Sequence, residues 1–305
     1  FTPDGNEIVS SSYDGTLKIW HIESGAVRLT LRGHSDSVRA CAISANGTLI
    51  LSASNDGTLK LWDRHTGEER QTLSGHDSRV TCCSLSADGK TALSGSEDKT
   101  LKIWDVASGR VRFTLEGHTE NIWGCALTAD GKRAASASAD GRLIVWDALS
   151  GQPLQTIIAN EVGVTGCAWG HNDQALLAAL VDKTVGVWDA LSGESEMTYI
   201  GHEGWVNACA WMGPYPISAS ADKHVVVWDI NSRRQLEILS GHTGGVNACA
   251  AYENYIVSAS VDRTLKLWEI PVSVFTTHPD SHAEALYEEK PIRSLAVNLS
   301  PTAKT

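Results

Sequence analysis

Residues 33–73 read GHSDSVRACAISANGTLILSASNDGTLKLWDRHTGEERQTL, and residues 75–115, GHDSRVTCCSLSADGKTALSGSEDKTLKIWDVASGRVRFTL, repeat that layout position by position. Working outward, the tryptophan near the end of the unit recurs at Trp20, Trp62, Trp104, Trp146, Trp188, Trp228 and Trp268, at intervals of 42, 42, 42, 42, 40 and 40 residues. A fixed interval of this length marks a supersecondary unit copied in tandem, each copy burying its apolar faces against its neighbours. Within a unit the segments 38–43, 49–56, 58–63 and 69–73 are short and rich in Val, Ile, Leu and Thr. Gly, Asn and Asp turn signals such as Ala45-Asn46-Gly47, Asn55-Asp56-Gly57 and Thr66-Gly67 separate them. Each segment is a predicted strand, four to a unit.

Gly-His opens the unit at residues 33, 75, 117, 201 and 241, and Trp-Asp closes its third strand at 62, 104, 146, 188 and 228, with His21 and Glu269 in place of Asp in the end copies. On these dipeptides, held in register over nearly the whole chain, the sequence resembles the WD-repeat (WD40) family. The resemblance implies an all-β, seven-bladed propeller of four-stranded antiparallel blades. It also implies a hydrogen-bonded set of His, Ser or Thr, turn Asp and Trp in each blade, here His34, Ser52 or Ser54, Asp56 and Trp62. Spacing does not choose between the two serines.

Copy five has Ala159-Asn160 in place of Gly-His, and Ala178 and Leu180 in place of the serines. Losing one partner of a buried hydrogen bond costs about 1–3 kcal/mol, whereas replacing both with apolar groups is nearly neutral, so joint loss is the signature of a coupled set. Blade five is therefore expected to keep its shape with a weaker polar clamp.

The chain reads as one propeller over residues 1–305. Blade one is taken from 1–31 plus 291–305, blades two to seven from about 32–277, and 278–290 is an insertion able to form a helical turn over 283–289. The run Phe1-Thr2-Pro3-Asp4-Gly5 matches the end of an innermost strand. Residues 291–297 line up with 37–43, which predicts that the C-terminal segment supplies blade one with its first strand and closes the ring.

The formal net charge is −11, with no basic run, which argues against nucleic-acid binding through phosphates. No run of 18 apolar residues or signal peptide is visible, so the expectation is a cytoplasmic module with no membrane partner. Cys41, Cys83, Cys125, Cys167, Cys209 and Cys249 share one position of the first strand, with Cys82 alone outside the series. Repeat-locked cysteines read as small buried residues in a reducing compartment, and they lack the close CxxC or His spacing of a metal site. No metal or cofactor is expected. Ser, His and Asp recur together in nearly every copy beside Trp, as a structural clamp requires and a single active site does not. Phosphate-loop, HExxH and GxSxG motifs are lacking.

Residues that break the repeat without a packing reason are candidates for recognition. Trp169 and Trp211 take the register of Ile43, Leu85 and Leu127 and read as core. Trp123 and Trp205 stand instead at the start of innermost strands, in registers otherwise held by Arg, Thr, Asn, Ser or Gly. In the resembled family that end faces the channel mouth on the top surface. The residue before the turn Asp reaches the same rim and reads Tyr13, Asn55, Glu97, Ala139, Val181, Ala221 and Val261 around the ring. The predicted binding set is Trp123, Trp205, Tyr13, Arg39, Arg79 and Arg293, with Asn121, Asn207 and Glu97 as polar neighbours, because exposed aromatic and Arg residues dominate binding energy.

The expected function is non-catalytic: a protein–protein interaction or ligand-sensing propeller that binds a protein or peptide on its top face. The near-uniform period and the Ser-Gly or Thr-Gly turns resemble WD arrays of prokaryotic or fungal signalling proteins. That likeness implies a sensor domain attached to a nucleotide-binding switch or a kinase, with other domains of the parent chain as partners. The alternatives are a purely structural scaffold and an enzymatic propeller with a site in the channel.

Overall fold

The computed structural model describes residues 1–170, 173–271 and 274, together with the backbone of residues 294–298. Seven antiparallel sheets follow one another along the chain. The first holds β1 (Glu7–Ser11), β2 (Thr16–His21) and β3 (Val27–Arg32). The second holds β4 (Val38–Ile43), β5 (Leu49–Ser54), β6 (Thr58–Asp63) and β7 (Glu69–Ser74). The same order repeats in β8–β11 (from Val80 to Leu115), β12–β15 (Ile122 to Ile158), β16–β19 (Val164 to Ile200) and β20–β23 (Val206 to Leu239). The seventh comprises β24 (Val246–Tyr252), β25 (Tyr255–Ser260), β26 (Thr264–Glu269) and β27 (Ser294–Asn298).

Packing between sheets makes the ring. Each junction has its own hydrophobic cluster: Leu51, Leu59, Leu61 and Leu73 of blade two, for instance, meet Val80, Ala92 and Trp104 of blade three. Seven such clusters occur among the described residues, and the last joins Val257 and Leu265 of blade seven to Ile8 and Trp20 of blade one. The propeller is therefore seven-bladed and closed. The N-terminal segment seals the seam, with the Phe1 ring 5.9 Å from that of Tyr252, whose hydroxyl donates to the Pro3 carbonyl at 3.2 Å. The two residues that copies six and seven lack leave two-residue hairpins, closed by the pairs Met212–Tyr215 and Tyr252–Tyr255. In blade seven, Tyr252 of that hairpin is the residue that meets Phe1.

The C-terminal strand differs from its predicted place. β27 pairs with β26, Leu267 opposite Leu295 and Leu265 opposite Val297, as the outermost strand of blade seven. The first sheet consequently has three strands. The alternation in residues 291–297 suits any half-buried strand, and the outer edge of β26, which in each of blades one to six carries a fourth-position strand, is the edge it covers. The insertion at 278–290 with its helical turn, and residues 291–293, lie outside the described residues.

Four groups lock each complete blade. Trp62 Nε1–H donates to Ser52 Oγ at 2.9 Å, and Ser52 Oγ–H donates to His34 Nε2 at 2.7 Å. His34 Nδ1–H in turn donates to Asp56 Oδ2 at 2.7 Å. This proton assignment is the one that satisfies every atom in the chain. Asp56 also accepts from the Ser35 and Thr58 amides and the Thr58 hydroxyl, which ties the loop before β4 to the turn before β6. Ser52, not Ser54, is the clamp; Ser54 bonds the Asp36 and Ser37 carbonyls and the Asp56 amide. The set recurs on His76, His118, His202 and His242 with their Ser, Asp and Trp partners. The residue after the turn Asp is left-handed in every blade, whether Gly57 (φ 84°) or Lys183 (φ 76°).

Blade five keeps four strands without the clamp. Asn160 reaches Asp182 only at 3.5 Å, and its Oδ1 instead accepts the Val162 and Gly163 amides, so a local Asx turn holds the loop. Trp188, with no serine to donate to, lies over Gly186 of its own strand.

The cysteines of the inner strands donate to carbonyls of the preceding blade, Cys41 to Val9 at 3.6 Å, Cys83 to Leu51 at 3.8 Å and Cys209 to Leu177 at 3.7 Å. Desolvation raises these thiols, to about 12 at Cys249, so they stay protonated.

If the clamp is one unit, the loss of stability in the double variant His76→Asn/Ser94→Ala falls short of the sum of the two singles, each expected at about 1–3 kcal/mol in denaturant unfolding. Additive losses would show that the two side chains act separately. The acid limb of stability is also set here. Burial lowers the pKa of His34, His118, His202 and His242 below the ordinary 6.5. Asp56, Asp140 and Asp222 also lie below 3.8; burial opposes that shift, and hydrogen bonds and charge attraction from the paired histidine and neighbouring donors outweigh it. In both sets the unfolded chain takes up protons first as pH falls, so stability is full above about pH 7 and declines on acidification. The melting temperature should drop between about pH 7.5 and 5.5 and again below about pH 4; a flat profile across the first window would rule out neutral buried imidazoles.

Candidate functional site

The Ser–His–Asp geometry of the clamp, 2.7 Å and 2.7 Å in blade two, resembles a nucleophilic triad. Its hydroxyl is not available for attack. Ser52 is fully buried, and its oxygen accepts the indole N–H of Trp62. The arrangement is a tether between loops. Among the described residues no three His, Cys, Asp or Glu side chains stand together as a metal site, and no helix is long and apolar enough to cross a membrane.

The top rim has its own geometry. In six inner strands the pairing slips by one residue near the start: between Val38 and Ala40, Val80 and Cys82, Ile122 and Gly124, Val164 and Gly166, Val206 and Ala208, and Val246 and Ala248. Arg39, Thr81, Trp123, Thr165, Asn207 and Asn247 are therefore bulge residues, freed from the ladder and re-aimed. Thr81, Thr165 and Asn207 reach the next blade, donating to the carbonyls of Ile122, Val206 and Val246. Arg39 and Trp123 make no such stitch, and their side chains are left to the rim.

Tyr13 and Arg39 come together, the guanidinium 5.3 Å from the ring centroid and Nη1 3.4 Å from the hydroxyl, both groups exposed. Arg79 faces Glu97 at 3.8 Å on the solvent side. A surface pair of this kind contributes little to stability and leaves both charges accessible. Asn121 is half-buried, and Asn207 spends its amide on blade seven at 2.8 Å. Trp123 is half-buried, its ring so close to Gly163 that an added methyl there would stand 3.1 Å from Cζ3. Trp205 is 57% exposed. Arg293 lies outside the described residues. Trp169 and Trp211 are partly buried and donate to the Ala126 and Ala168 carbonyls of the preceding blade, consistent with a core role.

The register at 36 and its equivalents adds a residue that sequence reading did not single out. Blades two to four carry Asp36, Ser78 and Glu120 there, whereas blades five to seven carry Val162, Gly204 and Gly244, and Val162 is exposed. With Trp205 and Val261, also exposed, these registers carry exposed apolar side chains in blades five to seven, whereas in blades two to four the rim carries exposed Asp36, Arg39, Arg79 and Glu120. The repeat alignment held the signal for Val162, but attention to aromatics and cations passed over it.

Seven stretches, residues 1–21, 25–63, 67–105, 109–147, 151–189, 193–229 and 233–269, match the family described as WD domain, G-beta repeat. The chain belongs to the WD40 family. Each match after the first runs from the outermost strand of one blade through the three inner strands of the next, as residues 25–63 take β3 together with β4, β5 and β6. Human Coronin-7 is 48% identical over 42 residues, which is 14% of this chain and 4% of that protein. That span has the length of one repeat, so the likeness covers a small part of either chain. WD40 propellers generally serve as protein-interaction scaffolds without enzymatic activity.

The two rim tryptophans differ in exposure, which is measurable. Trp205→Phe should remove most of the acrylamide-quenchable tryptophan fluorescence and Trp123→Phe only a small part; equal losses would contradict the packing of Trp123 on Gly163.

Proposed function

We propose that this propeller is a non-catalytic docking module that holds a protein or peptide partner on its top rim. The observation that carries the reading is Trp205, 57% exposed at a register where the other copies have Ser37, Arg79, Asn121, Gly163 and Gly245. A large indole left in water at the channel mouth contributes nothing to packing. Buried by a partner it supplies about 1.5–3 kcal/mol, the scale of a binding hot spot. Trp123, Val181 and Val261 extend the apolar sector, and Tyr13, Arg39, Arg79 and Glu97 offer charge and hydrogen bonds on the other half, with Asn121 at the boundary beside Trp123, a division suited to anchoring on one side and orientation on the other. A role as the sensor domain of a larger cytoplasmic signalling protein is part of this reading, and it is supported by the near-uniform period and turn pattern resembling such arrays.

A peptide library displayed on phage and selected on the wild-type propeller provides the test. Selected peptides should bind Trp205→Ala at least tenfold more weakly, a loss of about 1.4 kcal/mol, while the variant's melting temperature stays near wild type. Undiminished binding would remove Trp205 from the site.

A further inference from the structure

The bottom face carries a charged cluster that the repeat does not require. Arg64, just after the Trp-Asp of blade two, holds a register occupied elsewhere by Ile22, Val106, Ala148, Ala190, Ile230 and Ile270. Its backbone keeps the common bond, from the amide to the Thr48 carbonyl at 3.0 Å, so only the side chain departs. That side chain crosses to blade one, where Nη1 donates to Glu7 Oε2 at 2.7 Å. Glu7 is 6% exposed and also accepts two bonds from Arg28. Arg28 is nearly saturated, since with the carbonyls of Arg64 at 2.8 Å and His65 at 3.2 Å it uses four of its five N–H donors.

Arg64 is not. Its Nε–H is the one buried side-chain polar atom without a hydrogen-bond partner among the described residues. Besides Glu7, the anion nearest its guanidinium is Asp4, at 3.9 Å and half exposed. The inner trio of Arg28, Arg64 and Glu7 carries a net charge of +1 on a chain whose formal net charge is −11. A cavity of about 290 Å³ opens on the trio between blades one and two, lined also by Asp4, His21 and His65.

We propose that this bottom-face cavity is a binding site for a carboxylate of an acidic peptide, with Arg64 as the principal cation. A guanidinium pairs with a planar carboxylate through two parallel N–H donors, and Arg64, with one hydrogen bond made, has a pair to spare where Arg28 has a single N–H left. The incoming carboxylate replaces the loose Asp4 contact. A singly charged group fits better than a doubly charged phosphate, because Asp4 and Glu7 line the same space and repel the extra charge. The site lies on the face opposite Trp205, so a failure here leaves the top-rim reading standing, and the reverse.

The probe is a fluorescein-labelled tetraglutamate peptide followed by anisotropy at about 20 mM salt, where screening is weak. Saturable binding is expected, with Arg64→Val weakening it at least tenfold, Arg64→Lys falling between the two, and Trp205→Ala leaving it unchanged. Melting curves check that Arg64→Val is folded; should it not be, Arg64→Lys, which keeps the charge and loses the fork, decides. Absence of saturable binding, undiminished affinity in the Arg64 variants, or inorganic phosphate competing as tightly as the peptide would each overturn the assignment.

Discussion

In six of the seven blades the structure depends on the indole N–H of one tryptophan finding a serine acceptor in its own sheet. Trp62 presents its ring to the neighbouring blade, in the cluster with Leu17, Ile19 and Leu31, and its N–H to Ser52 in its own sheet. A ring this large packed between sheets would strand a polar atom unless the strand beside it offers a hydroxyl, and that hydroxyl then needs somewhere to donate. The histidine accepts, and the turn aspartate accepts from the histidine. One requirement of the core thus reaches the top loops through four side chains, and those loops form the rim described here.

The clamp also explains which parts of the fold were legible. Its four members recur in the same order in copy after copy, two residues closer together in copies six and seven, so their recurrence identified the blade and even its exception, copy five. Ser52 and Ser54 could not be distinguished because residues two apart on a strand share a face; the choice turns on Trp62, which pairs with Ile50 and reaches Ser52 as a diagonal neighbour. The inner-strand bulges were invisible for a related reason. A bulge adds a residue to one strand in every copy, so the period is unchanged, and nothing in the spacing separates Thr81, which stitches blades, from Arg39, which does not. The C-terminal strand was misplaced because alternation specifies a half-buried strand and not the edge it joins.

At the site, registers mattered more than residue types. Tyr13 meets Arg39, Arg79 faces Glu97, and Trp205 is exposed, an arrangement that follows from where each residue stands in the repeat. Asn207 was legible as a rim residue only in register; its amide serves the blade junction instead. The bottom-face cluster escaped notice although Arg64 interrupts an otherwise apolar column, because an isolated arginine in sequence looks like ordinary surface. What marks it is the buried Glu7, and that contact joins residues 57 apart.

Blade five connects these strands of reasoning. In complete blades the turn aspartate accepts the amide that follows the histidine, as Asp56 does from Ser35 at 3.1 Å and Asp98 from Asp77 at 3.1 Å, which fixes the loop entering each inner strand. Copy five replaces that long-range tether with Asn160 capping its own loop, and the same loop carries exposed Val162 and the Gly163 on which Trp123 rests. That loop keeps a backbone bond from the Val181 amide to the Gly163 carbonyl at 3.1 Å and the 3.5 Å contact of Asn160 with Asp182, but it lacks the buried histidine that ties the other loops to a strand serine. The rim is therefore least tightly tethered beside its exposed apolar residues. The blades on either side hold the corresponding loops through His118 and His202, each bonded to its serine and turn aspartate.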